Sequence, residues 1–136
     1  MTINPYLVFN GNCEEALKFY ETTLGAKILS LFRYEGSPMA ASTPPDSLNK
    51  IMHARLQLAD TTIMASDAPA GHYAAPQGMQ INITVNDPTE AERLFHLLSE
   101  GGKVSMPIAE TFWALRFGML VDRFGIPWMI NCEKPM

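Results

Sequence analysis

The chain has 136 residues, 47% hydrophobic and 18% charged, enough for one ordinary domain or two small modules sharing a core, and too apolar for a disordered chain. With 10 Lys and Arg against 14 Asp and Glu the formal net charge is -4, and the basic residues are scattered, so nucleic acid is not an expected partner. Cys13 and Cys132 lie near opposite ends without a CxxC pair and are expected as free thiols. The absence of a basic leader and of any apolar run near the roughly 18 residues that span a bilayer leads to the expectation of a soluble cytoplasmic protein with no membrane partner.

In chain order, NPYLVFNGN (4–12) reads as a short apolar strand ending in turn residues. CEEALKFYETTLG (13–25) follows with Ala16, Phe19, Tyr20 and Leu24 at helical spacing, Asn12 as N-cap, Glu15 as the reciprocal cap and Gly25 as the left-handed stop. Three strand-like segments come next: KILSLFRYE (27–35), IMHARLQLA (51–59) and TTIMAS (61–66). The polar stretch 36–49 reads as a mobile loop, and residues 67–78 as a connection. The plan then repeats. INITVNDPTEAERLFHLLSEGGKV (81–104) is a strand and a helix with Asp87 as cap, Pro88 at the first helical position, Glu90 three after the cap, and a stop at Gly101 and Gly102. Strand-like GKVSM (102–106), ALRFGMLVD (114–122) and IPWMINC (126–132) complete it.

Superposing the halves pairs Asn10 with Asn86, Glu14 with Glu90, Phe19 with Phe95, Gly25 with Gly101 and Lys27 with Lys103, a constant offset of 76 positions that points to a duplicated module. The expected fold class is α+β: one domain over 1–136 built of tandem βαβββ modules, 1–67 and 79–136, forming a cupped mixed sheet.

PYLVFNGNCEEALKFYETTLGAKI (5–28), ETFWALRFG (110–118) and DRFGIPWMIN (122–131) resemble the vicinal oxygen chelate superfamily, with its glyoxalase/bleomycin resistance-like fold, and within it the PhnB-like group. The resemblance covers nearly the whole chain and implies a small-molecule cavity and a homodimer. Metal-dependent members hold a divalent ion at positions that match Pro5, Met64, Gln80 and Met129 here. Proline offers no side-chain donor, the amide is a weak one, and thioethers suit soft rather than hard ions, so no metal is expected at these positions. Relatives also carry the label 3-demethylubiquinone-9 3-methyltransferase, but the chain lacks a Gly-rich strand-to-helix loop, and S-adenosylmethionine is not an expected cofactor.

Strand alternation sorts the remaining candidates. Gln80, Asn82 and Thr84 share one face, opposite Ile81, Ile83 and Val85; His53, Arg55 and Gln57 share another, opposite Met52, Ala54, Leu56 and Leu58. His53 suits a general base, a metal ligand or a plain hydrogen-bonding surface residue. Arg55 suits an anionic ligand, a solvated face or a salt bridge to Asp60 or Glu110. In 110–118, Glu110, Phe112, Trp113, Arg116 and Phe117 suit a pocket wall with a polar anchor, or a subunit interface. Asp122 and Asp67 are read as turn caps, Trp128 as core, and the nine methionines as either core filler or the lining of an adaptable pocket. Three functions compete: a metal-free binder of a small anionic or aromatic molecule, a metal-dependent lyase, isomerase or dioxygenase with unconventional ligands such as His53 and Glu110, and a structural homodimer.

Overall fold

Short alternating strands and two capped amphipathic helices arise where the apolar spacing places them. They are β1 (Tyr6–Phe9), α1 (Cys13–Leu24), β2 (Lys27–Arg33), β3 (Ile51–Leu58), β4 (Thr61–Asp67), β5 (Ile81–Thr84), α2 (Pro88–Ser99), β6 (Lys103–Ala109), β7 (Ala114–Val121) and β8 (Pro127–Glu133). The computed structural model describes residues 1–135, and the chain divides into two compact units, Met1–Ala74 and Ala75–Met136, each a βαβββ module. Each unit holds its own four-stranded mixed sheet, ordered β1-β4-β3-β2 and β5-β8-β7-β6. In both, the first and last strands of the module pair in parallel and the other neighbours run antiparallel.

In the first unit α1 buries Cys13, Ala16, Leu17, Tyr20 and Thr23 on one face of the sheet, where Ala54, Leu56, Ile63 and Ala65 are also buried. Its N-terminus is not held as the sequence suggests: Asn12 makes no side-chain cap bond, and its buried Oδ1 has no partner. The carboxylate of Asp67, at the end of β4, does that work instead. Its Oδ1 accepts the Cys13 amide and its Oδ2 the Ile51 amide, each at 2.9 Å, while the Tyr34 hydroxyl donates to its backbone carbonyl. A reach across the sheet replaces a local cap, which no sequence spacing announces.

In the second unit the cap is local, as expected: Asp87 accepts the Thr89 amide, and Pro88 opens α2. Glu90 pairs with Arg93 rather than reaching back to the cap. Ala91, Leu94, Phe95 and Leu98 form the buried stripe of α2. Phe95 lies over Gly118 of β7, where an added Cβ would stand 2.7 Å from Phe95 Cε2 and 3.0 Å from the Ile108 Cα. The Asp122 carboxylate closes the turn into β8, its Oδ1 accepting the Phe124 and Ile126 amides and its Oδ2 the Trp128 indole N–H.

The repeat is real, but its offset is not constant. The helix bounds and buried stripes superpose Ala16 on Ala91, Tyr20 on Phe95 and Thr23 on Leu98, one position short of the pairing of Phe19 with Phe95. The second helix-to-strand turn is longer by one residue, Glu100, so the strand directly after each helix, β2 and β6, regains the larger offset. Identical letters on an amphipathic helix mislead when the buried stripe sets the register. The 36–49 stretch, expected as a loop, contains two short 3-10 turns, Ala40–Ser42 and Pro45–Ser47, the first flanked by Ser37, Ser42 and Thr43 side-chain bonds. At the edge of the second sheet, β6 keeps nearly all its side chains exposed, and its pairing with β7 breaks register twice, around Ser105 and around Pro107.

Replacing Asp67 or Asp122 by Ala strands two or three buried N–H groups, and each variant is expected to lose about 2 to 4 kcal/mol in urea unfolding; a loss under about 0.5 kcal/mol would show that water satisfies those donors. Gly118→Ala overpacks Phe95 against a neighbouring backbone and is expected to cost about 1 to 3 kcal/mol by the same measurement. On the surface, Arg33 forks onto both Glu14 oxygens at 3.0 and 3.1 Å, and this bond, helped by Lys18, holds the Glu14 carboxyl below its ordinary value of 4.5. The stabilisation is complete above that ordinary value and disappears as pH falls through the lower folded one. Arg33→Met is therefore expected to flatten the acid limb of stability against pH by no more than about 1 kcal/mol, because the pair is partly solvated.

Candidate functional site

Each helix covers one face of its sheet and leaves the other face to polar and aromatic side chains. In the first unit, β3 buries Ala54 and Leu56 against the helix, so His53, Arg55 and Gln57 stand on the opposite face, as alternation predicts. The register sets Ser30, Arg55, Met64 and Tyr6 side by side across β2, β3, β4 and β1, and Phe32 beside His53. The Tyr6 hydroxyl lies 3.2 Å from His53 Nδ1, with the rings 5.7 Å apart and tilted by 34°. Phe32 is 55% exposed, and the Ser30 Oγ beside Arg55 is buried without a partner.

Among the described residues of its unit Arg55 makes no hydrogen bond or ion pair, and Asp60 does not reach it, whereas Arg33, Arg93 and Arg116 are each held by a glutamate. Gln57 is engaged in the turn it precedes, donating to the Ala59 carbonyl and accepting from Thr62. Tyr6 was not a candidate from sequence, although the alternation of PYLVF puts it on the face opposite Leu7 and the buried Phe9.

In the second unit the expected wall separates into two faces. Arg116 lies on the helix side, where its Nε donates to Glu92 of α2 at 2.9 Å and its Nη1 to the Leu115 carbonyl, so it does not anchor the aromatic face. Glu110 is drawn to Lys134 at 3.0 Å, which lowers its carboxyl below the usual range. Phe112, Trp113 and Phe117 remain together, with ring centroids 4.8 and 5.3 Å apart and edge-on geometry. Asn82, whose amide donates to Thr84, pairs in register with Met129, and Phe117 with Asn131. Gln80 and Met129 both line a shallow depression of about 460 Å³ with Pro76, Gln77, Gly78, Met79 and Pro127.

A hard divalent ion does not fit the four positions marked by the resemblance. Pro5 lies just before β1 and offers its carbonyl to the Met64 amide; Tyr6, not Pro5, is the register partner of Met64. Met64, Gln80 and Met129 supply two thioethers and a carboxamide. Among the described residues, no three His, Cys, Asp or Glu side chains gather as metal ligands. Burial, with Asp67 and Glu14 nearby, pushes the Cys13 thiol well above its ordinary value, so it is no nucleophile. A polar depression of about 200 Å³ at the start of α1 is filled with its own pairs, Lys50 donating to the Gly11 carbonyl and Arg33 to Glu14. Among the described residues no helix is long and apolar enough to cross a membrane.

The family profile described as 3-demethylubiquinone-9 3-methyltransferase matches residues 1–131. Protein YjdN of Escherichia coli (strain K12) is 36% identical, over 98% of this chain and 97% of its own. The crystal structure of protein PA1353 from Pseudomonas aeruginosa is 47% identical, with TM-score 0.88 and 99% of each chain covered. The PhnB protein from Bacillus cereus is 25% identical, with TM-score 0.83, covering 97% of this chain and 99% of that one. More distant solved structures, a glyoxylase/bleomycin resistance protein/dioxygenase domain and a fosfomycin resistance protein, share the fold at 14% and 10% identity. With nearly the full length matched and the twin βαβββ modules in place, the chain belongs to the 3-demethylubiquinone-9 3-methyltransferase family, the PhnB-like group, and shares the glyoxalase/bleomycin resistance fold.

Proposed function

We propose that this protein binds a small molecule combining an anionic group with an aromatic ring, on the open face of its first sheet, and that it does so without a hard divalent metal. The observation that carries this reading is Arg55, exposed and, among the described residues of its unit, without a carboxylate partner while the comparable arginines are neutralised within the fold. A guanidinium in that condition is a ready fork for a carboxylate, phosphate or phosphonate. Phe32 and Tyr6 supply ring surface on the same face, and His53, held by Tyr6, supplies a second polar group. The unpartnered Ser30 hydroxyl adds a donor beside Arg55.

The methyl transfer named in the family description is not part of this reading. The turn from β1 into α1, Asn10–Gly11–Asn12, holds one glycine, with Lys50 Cε 3.6 Å from where its Cβ would be, and so does not resemble the Gly-rich loop of a dinucleotide-binding fold. A homodimer and a cytoplasmic location go with the same proposal.

Phenylphosphonate and benzoate are suitable probes, followed by amide chemical shifts. Saturable shifts are expected on β1, β3 and β4 around Tyr6, His53 and Arg55, with phenylphosphonate the tighter ligand. Arg55→Ala is expected to weaken binding at least tenfold, and Arg116→Ala, which removes an arginine already engaged by Glu92, to leave it unchanged. Wild-type affinity in Arg55→Ala, or no shift with either probe, would refute the proposal.

A further inference from the structure

The open face of the second sheet carries a feature that the proposed ligand does not use. Met106 of β6 pairs in register with Met119 of β7, and Met119 with Met129 of β8, so three methionines form one row across three adjacent strands. Met119 and Met129 point away from α2, because their neighbours face the helix side: Gly118 lies under Phe95, and Leu120, Trp128 and Ile130 are buried; Met106 shares the face of its register partner Met119. None of the three is itself buried; Met106 is 45% exposed and the other two are intermediate. The row ends at Asn82, the register partner of Met129, and Met79 lies with Met129 on the rim of the same depression.

Apolar filling explains a buried methionine. It does not explain three solvent-reached thioethers aligned where leucine or valine would form a better strand. Strands lie about 4.8 Å apart, so the outer two backbones stand about 10 Å from each other. Two unbranched thioether arms have the length to close that gap over Met119. The donor set is soft and neutral, with no carboxylate or imidazole among its members, which selects against hard divalent ions and for a soft monovalent one.

We propose that Met106, Met119 and Met129 form a trigonal thioether site for a soft d10 cation, copper(I) in biology, with silver(I) as its redox-inert probe. The row belongs to the second sheet and Arg55 to the first, and neither proposal depends on the other. Full-length protein labelled with carbon-13 at the methionine methyls is titrated with silver nitrate in chloride-free buffer, and copper(I) is titrated anaerobically against a chromogenic chelator. Shifts confined to the methyls of Met106, Met119 and Met129, with Met79 as an accessory, are the expected result. Leucine preserves side-chain volume while removing sulfur. Met119→Leu is therefore expected to weaken silver binding at least tenfold, and Met106→Leu/Met119→Leu/Met129→Leu to abolish it with the fold intact by circular dichroism. The proposal is overturned if the triple variant binds as wild type, if the shifted methyls belong to other methionines, or if the metal goes to the buried thiols of Cys13 and Cys132 and leaves the row unmoved. Should the triple variant not fold, Met119→Leu alone decides. An apolar probe such as a short alkyl alcohol that shifts the row equally in wild type and Leu variants, without silver binding, would reassign it as a hydrophobic surface.

Discussion

The helix of the first unit is held by a buried carboxylate. Asp67 ends β4 and is 2% exposed, and its two oxygens receive the first amides of α1 and of β3. Burying a carboxylate is costly unless directed N–H groups replace its hydration, and two backbone amides at 2.9 Å do so here. With α1 tied in this way its apolar stripe has one sheet face to cover, and every side chain on the other face is left for another purpose. Asp122 performs the corresponding work at a different place in the second unit, where it fastens the turn into β8 and the indole of Trp128. The two modules share a plan, yet each uses its buried acid at a junction of its own.

That division of faces governs which charged groups are available. Arg33 and Arg116 run back toward helix glutamates and are neutralised within the fold, whereas Arg55, exposed in the middle of β3, has no acidic partner among the described residues of its unit. The same logic separates the methionines: a thioether on the covered side serves packing, and one on the open side is a donor exposed to whatever approaches. Chemistry on this scaffold follows from the side of the sheet on which a residue falls, more than from its letter.

Much of this was legible in the sequence because alternation and capping are local signals. The eight strands and two helices follow from apolar spacing; Asp87, Pro88 and Gly25 mark helix ends through their own backbone preferences, Gly25 adopting the left-handed conformation. His53, Arg55 and Gln57 were placed on the correct face by period two alone. What escaped was non-local. Asn12 looks like a cap, but the amide is taken by a side chain 54 positions away, and Arg116 looks like part of an aromatic wall until the partner on α2 is known. The row of methionines was equally hidden, because register between strands brings together residues that are unremarkable in their own segments, and one of its pairings, Met106 with Met119, lies between two irregularities that sequence does not announce.

The frayed pairing of β6 has a consequence for life at high concentration. As an outermost strand it presents backbone to solvent along its length, the arrangement by which sheets from separate molecules zip together. Pro107 interrupts that ribbon by withholding an N–H, and Lys103 places a charge at its start. A chain that lost both would keep its core and its open faces, and would acquire a template for fibrils. Protection of this edge is a local property of one irregular strand, purchased with hydrogen bonds the sheet forgoes.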